Sequence, residues 1–153
     1  MTSNDNTTEQ LLSERLSFMD IDDKTLANIR SLSSVFKQEL PKVLDSFYRK
    51  MRAVPQVSRL FASEKHIEHA KEAQLRHWDE IISANYNRQY AEGAARIGRA
   101  HARVGLLPRW YVGGYKMILM NMISVLIKKH FENGKFKFFR RTNYDLTHPL
   151  IIK

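Results

Sequence analysis

One histidine, His101, stands within a stretch of helical spacing that runs from Arg96 to Tyr115 and has the sequence RIGRAHARVGLLPRWYVGGY. Ile97 lies four residues before it and Val104 three residues after it, so the three side chains share one face of a helix. An imidazole on an otherwise apolar face needs partners for its ring nitrogens, because an unpaired buried polar atom is costly. Two interpretations stay open from these residues alone. A core histidine bonded to a backbone carbonyl is the simpler one, and a metal ligand is the other.

Other side chains with possible chemistry give weaker signals. Tyr48 and Gln74 lie on predicted apolar faces, where Tyr48 alone would be a packed tyrosine and Gln74 is as easily a surface residue. His66, His69 and His77 share one predicted helix, and the first two have a spacing that can share a metal. Their charged neighbours favour solvent-facing groups instead. No Ser-His-Asp, paired-carboxylate or glycine-rich phosphate motif stands out, so no catalytic residue is assigned.

Helices must position these residues, because the apolar side chains recur every three or four positions and no long strand-like alternation occurs. Residues 1–8 are polar and are predicted to be a flexible lead, followed by one domain over residues 9–153. The first predicted helix is Glu9–Met19, the second is capped by Asp22 or Asp23, and the third ends before Pro55. The next two run from Ser63 to about Ala84 and from near Gln89 to Gly105. A further helix begins at Pro108, and a last one spans Phe136–Lys153 after a turn at Glu132–Lys135. Pro41 is expected at a helix start or a kink. The fold class predicted is all-α.

The stretch after His101 resembles the proximal-histidine region of the sensor globins, the haem domains of bacterial globin-coupled sensors. The residues that carry the resemblance there are Gly105, Pro108, Trp110, Tyr111 and Tyr115. The family commonly has a phenylalanine and a tyrosine late in the second main helix, where this chain has Phe47-Tyr48, and Trp78 and Asp145 also match. The likeness covers roughly Leu26 to Lys153. Lys71 departs from the family, which often has an apolar residue near that position.

The resemblance implies a globin fold with an extra N-terminal helix and a non-covalent haem b. His101 would be the axial ligand of a five-coordinate iron, with the opposite side open to O2, and also to CO or NO. Tyr48, with Gln74 as a second candidate, would donate a hydrogen bond to the bound gas, because O2 gains partial negative charge there and CO much less. The cofactor-binding residues implied are Phe47, Tyr48, Gln74, Trp78, Ile97, His101, Val104 and Tyr115.

The predicted helix after Pro108 contains a run, Met117 to Ile127, in which nine of eleven residues are apolar. Eleven helical residues span only about 16 Å, which is too short for a bilayer core, so no membrane association is expected. A helix that is apolar nearly all round is buried on both sides. We therefore expect a homodimer that forms through this helix and the last one.

Composition sets the remaining expectations. The 153 residues carry a net charge of +9 and no cysteine, which excludes disulfides and covalent haem attachment through cysteine and favours a cytoplasmic protein. The expected function is a haem-based sensor domain, most readily for O2, that is not itself an enzyme. The chain is expected to stop before an output domain, often a diguanylate cyclase in this family.

The alternative is a cofactor-free, basic, all-α interaction or nucleic-acid module, because six basic residues fall within Lys128–Arg141. Of these two functions, the haem-based sensor is favoured, and binding to nucleic acid is not expected.

Overall fold

The computed structural model describes the backbone of residues 3–133 and the side chains of residues 9–131. It contains the helices α1 (Ser3–Phe18), α2 (Asp23–Ser31), α3 (Ser33–Arg52), α4 (Pro55–Ser58), α5 (Glu64–Ser83), α6 (Arg88–Val104) and α7 (Pro108–Asn133). Residues 3–133 contain no strand, which confirms the predicted all-α class for this part of the chain. The predicted last helix, with Asp145, lies outside the described residues, as do residues 134 and 135 of the predicted turn. Glu132 and Asn133, its other two residues, still belong to α7.

Local sequence signals set most helix boundaries. The side chains of Asp22, Ser63 and Asn87 accept hydrogen bonds from the first-turn amides of α2, α5 and α6. Gly105 ends α6 with a φ of 73°, a left-handed conformation that glycine adopts without steric cost. Pro108 begins α7, where its missing N–H leaves no bond unmade. The predicted boundaries at Asp22, Ser63, Gly105 and Pro108 are therefore confirmed.

The N-terminal helix begins earlier than the sequence analysis expected. Helix α1 starts at Ser3, so most of the predicted flexible lead is helical. Residues 1–8 contain neither glycine nor proline, and adding residues to a helix that has already formed costs far less than starting one. Helix α1 packs against α6, the helix that carries His101.

Helix α3 is central, because it contacts both α5 and α7. Leu44 from α3 and Ile118 and Met122 from α7 are fully buried. Pro41 lies inside α3, and the chain breaks at Leu32 instead of at this proline. A proline inside a helix costs about 3 kcal/mol, and the apolar residues buried on both sides of it offset that cost. Those residues are Phe36, Leu40, Val43 and Leu44.

Helix α7 is buried along one side and exposed along the other within the described part of the chain. Ile118 and Met122 face the core, and the large hydrophobic side chains of α7 that remain exposed are Val112, Tyr115, Leu119, Met120, Ile123, Ile127 and Phe131. The residues 108–131 are long and apolar enough to cross a membrane by length and composition alone, a test that core helices of soluble proteins also pass. The exposed side of α7 is an apolar surface that the described residues do not cover.

Candidate functional site

A cavity of about 360 Å³ lies among α3, α5, α6 and α7. It has the size typical of sites for small molecules and cofactors. Its walls are mainly apolar and aromatic, with a few polar side chains. Seven of the eight residues predicted to bind the cofactor line it: Phe47, Tyr48, Gln74, Ile97, His101, Val104 and Tyr115. The fold thereby brings Tyr48 and His101, which lie about fifty positions apart in the sequence, to the same cavity.

His101 lies in the last turn of α6, and its ring is half-buried at the cavity wall. The ring stacks on that of Tyr111 from α7, with centroids 5.3 Å apart and planes 18° apart. Neither ring nitrogen forms a hydrogen bond within the described residues, so the sequence-based interpretation of a core histidine bonded to a carbonyl finds no support there. Desolvation by burial lowers the pKa of His101, which keeps the imidazole neutral and its lone pair available. A neutral imidazole is the form that binds a metal.

Tyr48 extends from α3 into the same cavity and is only 6% exposed. Its ring packs edge-on against Phe47, with centroids 5.1 Å apart, and against Phe61, at 6.4 Å. Burial raises the pKa of the Tyr48 hydroxyl, so it stays protonated and able to donate. No described residue bonds to this hydroxyl. The cavity wall therefore carries a hydroxyl donor that no described residue bonds.

Helix α5 contributes Gln74 and His77 to the cavity. The prediction that His77 faces solvent is wrong, because its side chain is only 8% exposed and its Nε2 lies 2.7 Å from the Tyr115 hydroxyl. Desolvation by burial lowers the pKa of His77, so this ring is also neutral. The sequence signal for this location is the spacing of His77 three residues after Gln74, which places both side chains on one face of α5. His66 and His69 are exposed, as predicted, and lie at the rim of the cavity.

Trp78 is the predicted cofactor-binding residue that the cavity does not include. Its ring lies in the core, with centroids 5.9 Å from Phe36 and 5.6 Å from Tyr115. Lys71 is also absent from the cavity, because its ammonium pairs with Asp45 of α3. The departure from the family at Lys71 therefore does not make the cavity wall more polar. Of the two open candidates, Gln74 lies at the cavity and Lys71 does not.

The residues at the cavity suit a metal whose ligands come mostly from a cofactor and not from the protein. No group of three or more His, Asp or Glu side chains within the described part of the chain could hold a bare ion. One neutral imidazole at the wall of an apolar cavity suits a macrocycle that supplies four ligands itself and needs one axial nitrogen. The aromatic and aliphatic walls match the apolar faces of such a cofactor. The site therefore has the donor set and the polarity that a haem requires.

Comparison with known proteins agrees with this geometry. A model of the protoglobin family matches residues 8–142. The chain is also 32% identical, over 113 residues, to the haem-based aerotactic transducer HemAT of Halobacterium salinarum. That match covers 73% of this chain and 23% of the transducer, so the chain spans less than a quarter of that relative's length. The chain belongs to the protoglobin family and is a sensor globin domain.

Proposed function

We propose that this domain binds haem b non-covalently through His101 and senses O2, with CO and NO as further ligands. The observation that carries the proposal is that one apolar cavity contains the imidazole of His101 and the hydroxyl of Tyr48, each without a hydrogen-bond partner among the described residues. The haem-based relative supports the choice of cofactor. The absence of cysteine supports non-covalent binding.

A haem held here would supply an iron atom that binds O2, CO or NO, and bound O2 would gain more negative charge than bound CO. His101 would hold the cofactor through a neutral ring nitrogen, and the ring of Tyr111 stacks on that imidazole. The residues that would lie along the two faces of the cofactor are Phe47, Ile97, Val104 and Tyr115. Their apolar surfaces, together with the bound cofactor, would limit the access of water and so strengthen a hydrogen bond formed inside the cavity.

Tyr48 would distinguish O2 from CO. Its hydroxyl stays protonated, because burial of the side chain raises the pKa, and it can donate to a negatively charged acceptor within the cavity. A hydrogen bond to a charged group is worth about 1.5–3 kcal/mol, which corresponds to roughly 10- to 150-fold in affinity. Gln74 is the second donor candidate, since its amide also lies at the cavity.

The domain would act as a sensor and not as an enzyme, because no catalytic constellation is assigned within it. Its relative is an aerotactic transducer, which supports a signalling output in the same chain. A diguanylate cyclase as that output stays a prediction. We also propose that the protein is cytoplasmic and has a globin fold in which α1 is an additional N-terminal helix. The exposed side of α7 and the predicted last helix would form the interface of a homodimer.

The alternative, a cofactor-free, basic, all-α interaction or nucleic-acid module, has no contact among the described residues in its favour. Lys129, within the basic cluster, already bonds to Glu39 at 2.8 Å and Gln38 at 2.9 Å on α3. The residues of this cluster from 134 onwards lie outside the described part of the chain. Binding to membranes or nucleic acid is not part of the proposal.

Titration of the purified, haem-free protein with haem tests the proposed function. We expect a saturable Soret band at one haem per chain and a reversible spectral change with O2 and with CO on the reduced form. A protein that stays colourless after haem addition, or that binds haem but gives no change with O2, would contradict the proposal. Binding of a labelled duplex by the colourless protein would favour the alternative.

A further inference from the structure

Two tyrosines from two other helices, Tyr90 and Tyr115, meet the ring of His77. The imidazole of His77, on α5, stacks with the ring of Tyr90 on α6, with planes 8° apart and centroids 6.5 Å apart. Its Nε2 lies 2.7 Å from the hydroxyl of Tyr115 on α7. We call His77, Tyr90 and Tyr115 the three-helix junction. Because His77 is only 8% exposed and contacts two other helices, it constrains the relative positions of α5, α6 and α7.

The charges around His77 favour one proton arrangement. On its own helix, the Glu80 carboxylate lies 4.0 Å from Nδ1, too far for a hydrogen bond but close enough to favour a proton on that nitrogen. With the proton on Nδ1, Nε2 has a free lone pair and accepts from the Tyr115 hydroxyl. His77 therefore joins α5 to α7 as a neutral acceptor with a defined ring orientation.

The buried polar atoms without a partner in the described part of the chain all lie on the same turn of α5. They are Oε1 of Gln74, Nδ1 of His77 and Nε1 of Trp78. An unpaired buried polar atom destabilises its surroundings, so the His77 ring is kept here at a cost in stability. The bond to Tyr115 and the stack on Tyr90 hold it in this orientation. A side chain kept under such conditions is a candidate for a functional role.

The same two neighbouring helices surround His101. Helix α6 carries His101 eleven residues after Tyr90, and α7 carries Tyr111, whose ring stacks on His101, one turn before Tyr115. We infer that His77 is a positioning residue for His101, because its contacts with Tyr90 and Tyr115 fix α5 against the two helices that set the orientation of the His101 ring. The inference rests on the proposed function of His101 as the axial ligand.

The test uses Tyr115→Phe, which removes the hydroxyl and keeps the ring, so that ring-current effects on neighbouring signals stay nearly constant. Tyr86→Phe is the matched control, because the Tyr86 hydroxyl bonds to the Ile81 carbonyl and not to His77. His77→Phe and the double variant complete a double-mutant cycle. Circular dichroism should show the helical content of the unmodified protein in each variant, which checks that the variants fold.

The first readout needs no cofactor. In the haem-free, isotope-labelled protein, we expect the side-chain nitrogens of His77 to show a single tautomer with the proton on Nδ1, and Tyr115→Phe to give an averaged signal. We also expect Tyr115→Phe to shift the ring signals of His101, and Tyr86→Phe to leave them in place. The double variant should match His77→Phe alone, since both partners act through one bond.

The second readout uses the haem-loaded protein, in which Tyr115→Phe should shift the iron–His101 stretching band and Tyr86→Phe should not. His101 ring signals that stay unchanged in Tyr115→Phe, or a His77 that averages between tautomers in the unmodified protein, would overturn the inference. An unmodified protein that binds no haem would instead contradict the proposed function. The signals of the haem-free protein would still decide whether His77 positions His101.

Discussion

The ring of Phe47 on α3 packs directly on the backbone of α7 at Gly114, where an added Cβ would lie 3.2 Å from two ring carbons. Phe47 also lines the cavity and packs edge-on against Tyr48. The absence of a side chain at Gly114 therefore sets how closely the two helices approach beside the cavity. A Cβ added at the neighbouring Gly113 would meet nothing within 4 Å, so this position offers a matched comparison.

Alanine at these two glycines should have different effects on stability. Gly113→Ala should raise the free energy of unfolding by about 0.5–1 kcal/mol, because alanine favours the helix. Gly114→Ala gains the same preference but forces Phe47 to move, and overpacking costs about 1–3 kcal/mol. Urea unfolding of the haem-free variants measures the difference. Equal stability of the two variants would show that Phe47 adjusts freely.

Tyr48→Phe should speed O2 dissociation by one to two orders of magnitude and change CO dissociation much less. The substitution keeps the packed ring and removes the proposed hydrogen bond to bound O2, and a bond to a charged acceptor is worth about 1.5–3 kcal/mol. Stopped-flow ligand replacement measures both rates. If the O2 and CO rates change by the same factor, Tyr48 only packs, and Gln74→Leu becomes the next variant.

The haem-free protein should lose stability as the pH falls below about 6.5, the ordinary pKa of histidine. Burial lowers the pKa values of His77 and His101 in the folded chain, so the unfolded chain takes up these protons first. The folded state binds fewer protons in this range, and stability therefore rises with pH. Unfolding free energies measured across this range check the sign. His77→Phe should flatten the slope, and a slope that is unchanged in this variant would assign the effect to other groups.

The exposed apolar side of α7 should hold a homodimer together. Met120 is 51% exposed and Ile123 is 38% exposed, so charges at these positions would disrupt an apolar contact with little effect on the core. We expect Met120→Glu combined with Ile123→Glu to give a monomer by sedimentation, with an unchanged haem spectrum. Lys24→Glu on α2 changes the net charge by the same amount and should leave the dimer intact. A monomeric unmodified domain at high micromolar concentration would contradict the prediction.

The features that the sequence predicted correctly depend on local signals. Capping side chains, Gly105 and Pro108 act within one helical turn, so they mark boundaries without knowledge of the rest of the fold. His101 and Tyr48 were assigned through resemblance to a family, and the structure places both at one cavity. Their roles toward a haem stay predictions.

The features that the sequence did not predict depend on contacts between helices. His77 has charged neighbours in the chain, and its spacing from Gln74 is too weak a signal to outweigh them. The contacts with Tyr90 and Tyr115 from other helices establish that it is buried. Trp78 lies on the predicted inner face of α5 but contacts the core beside the cavity. Periodicity defines a face about a third of a helix wide, and it cannot separate residues that meet a cavity from those that meet a neighbouring helix.

Haem retention by His101→Ala tests the central claim most directly. The variant removes the proposed axial ligand, and the control His130→Ala removes an exposed imidazole on α7 that does not line the cavity. After haem loading and gel filtration, His130→Ala should keep a Soret band like that of the unmodified protein. His101→Ala should lose the haem while circular dichroism shows unchanged helical content. A spectrum and haem content in His101→Ala equal to those of the unmodified protein would contradict the assignment of His101 as the axial ligand.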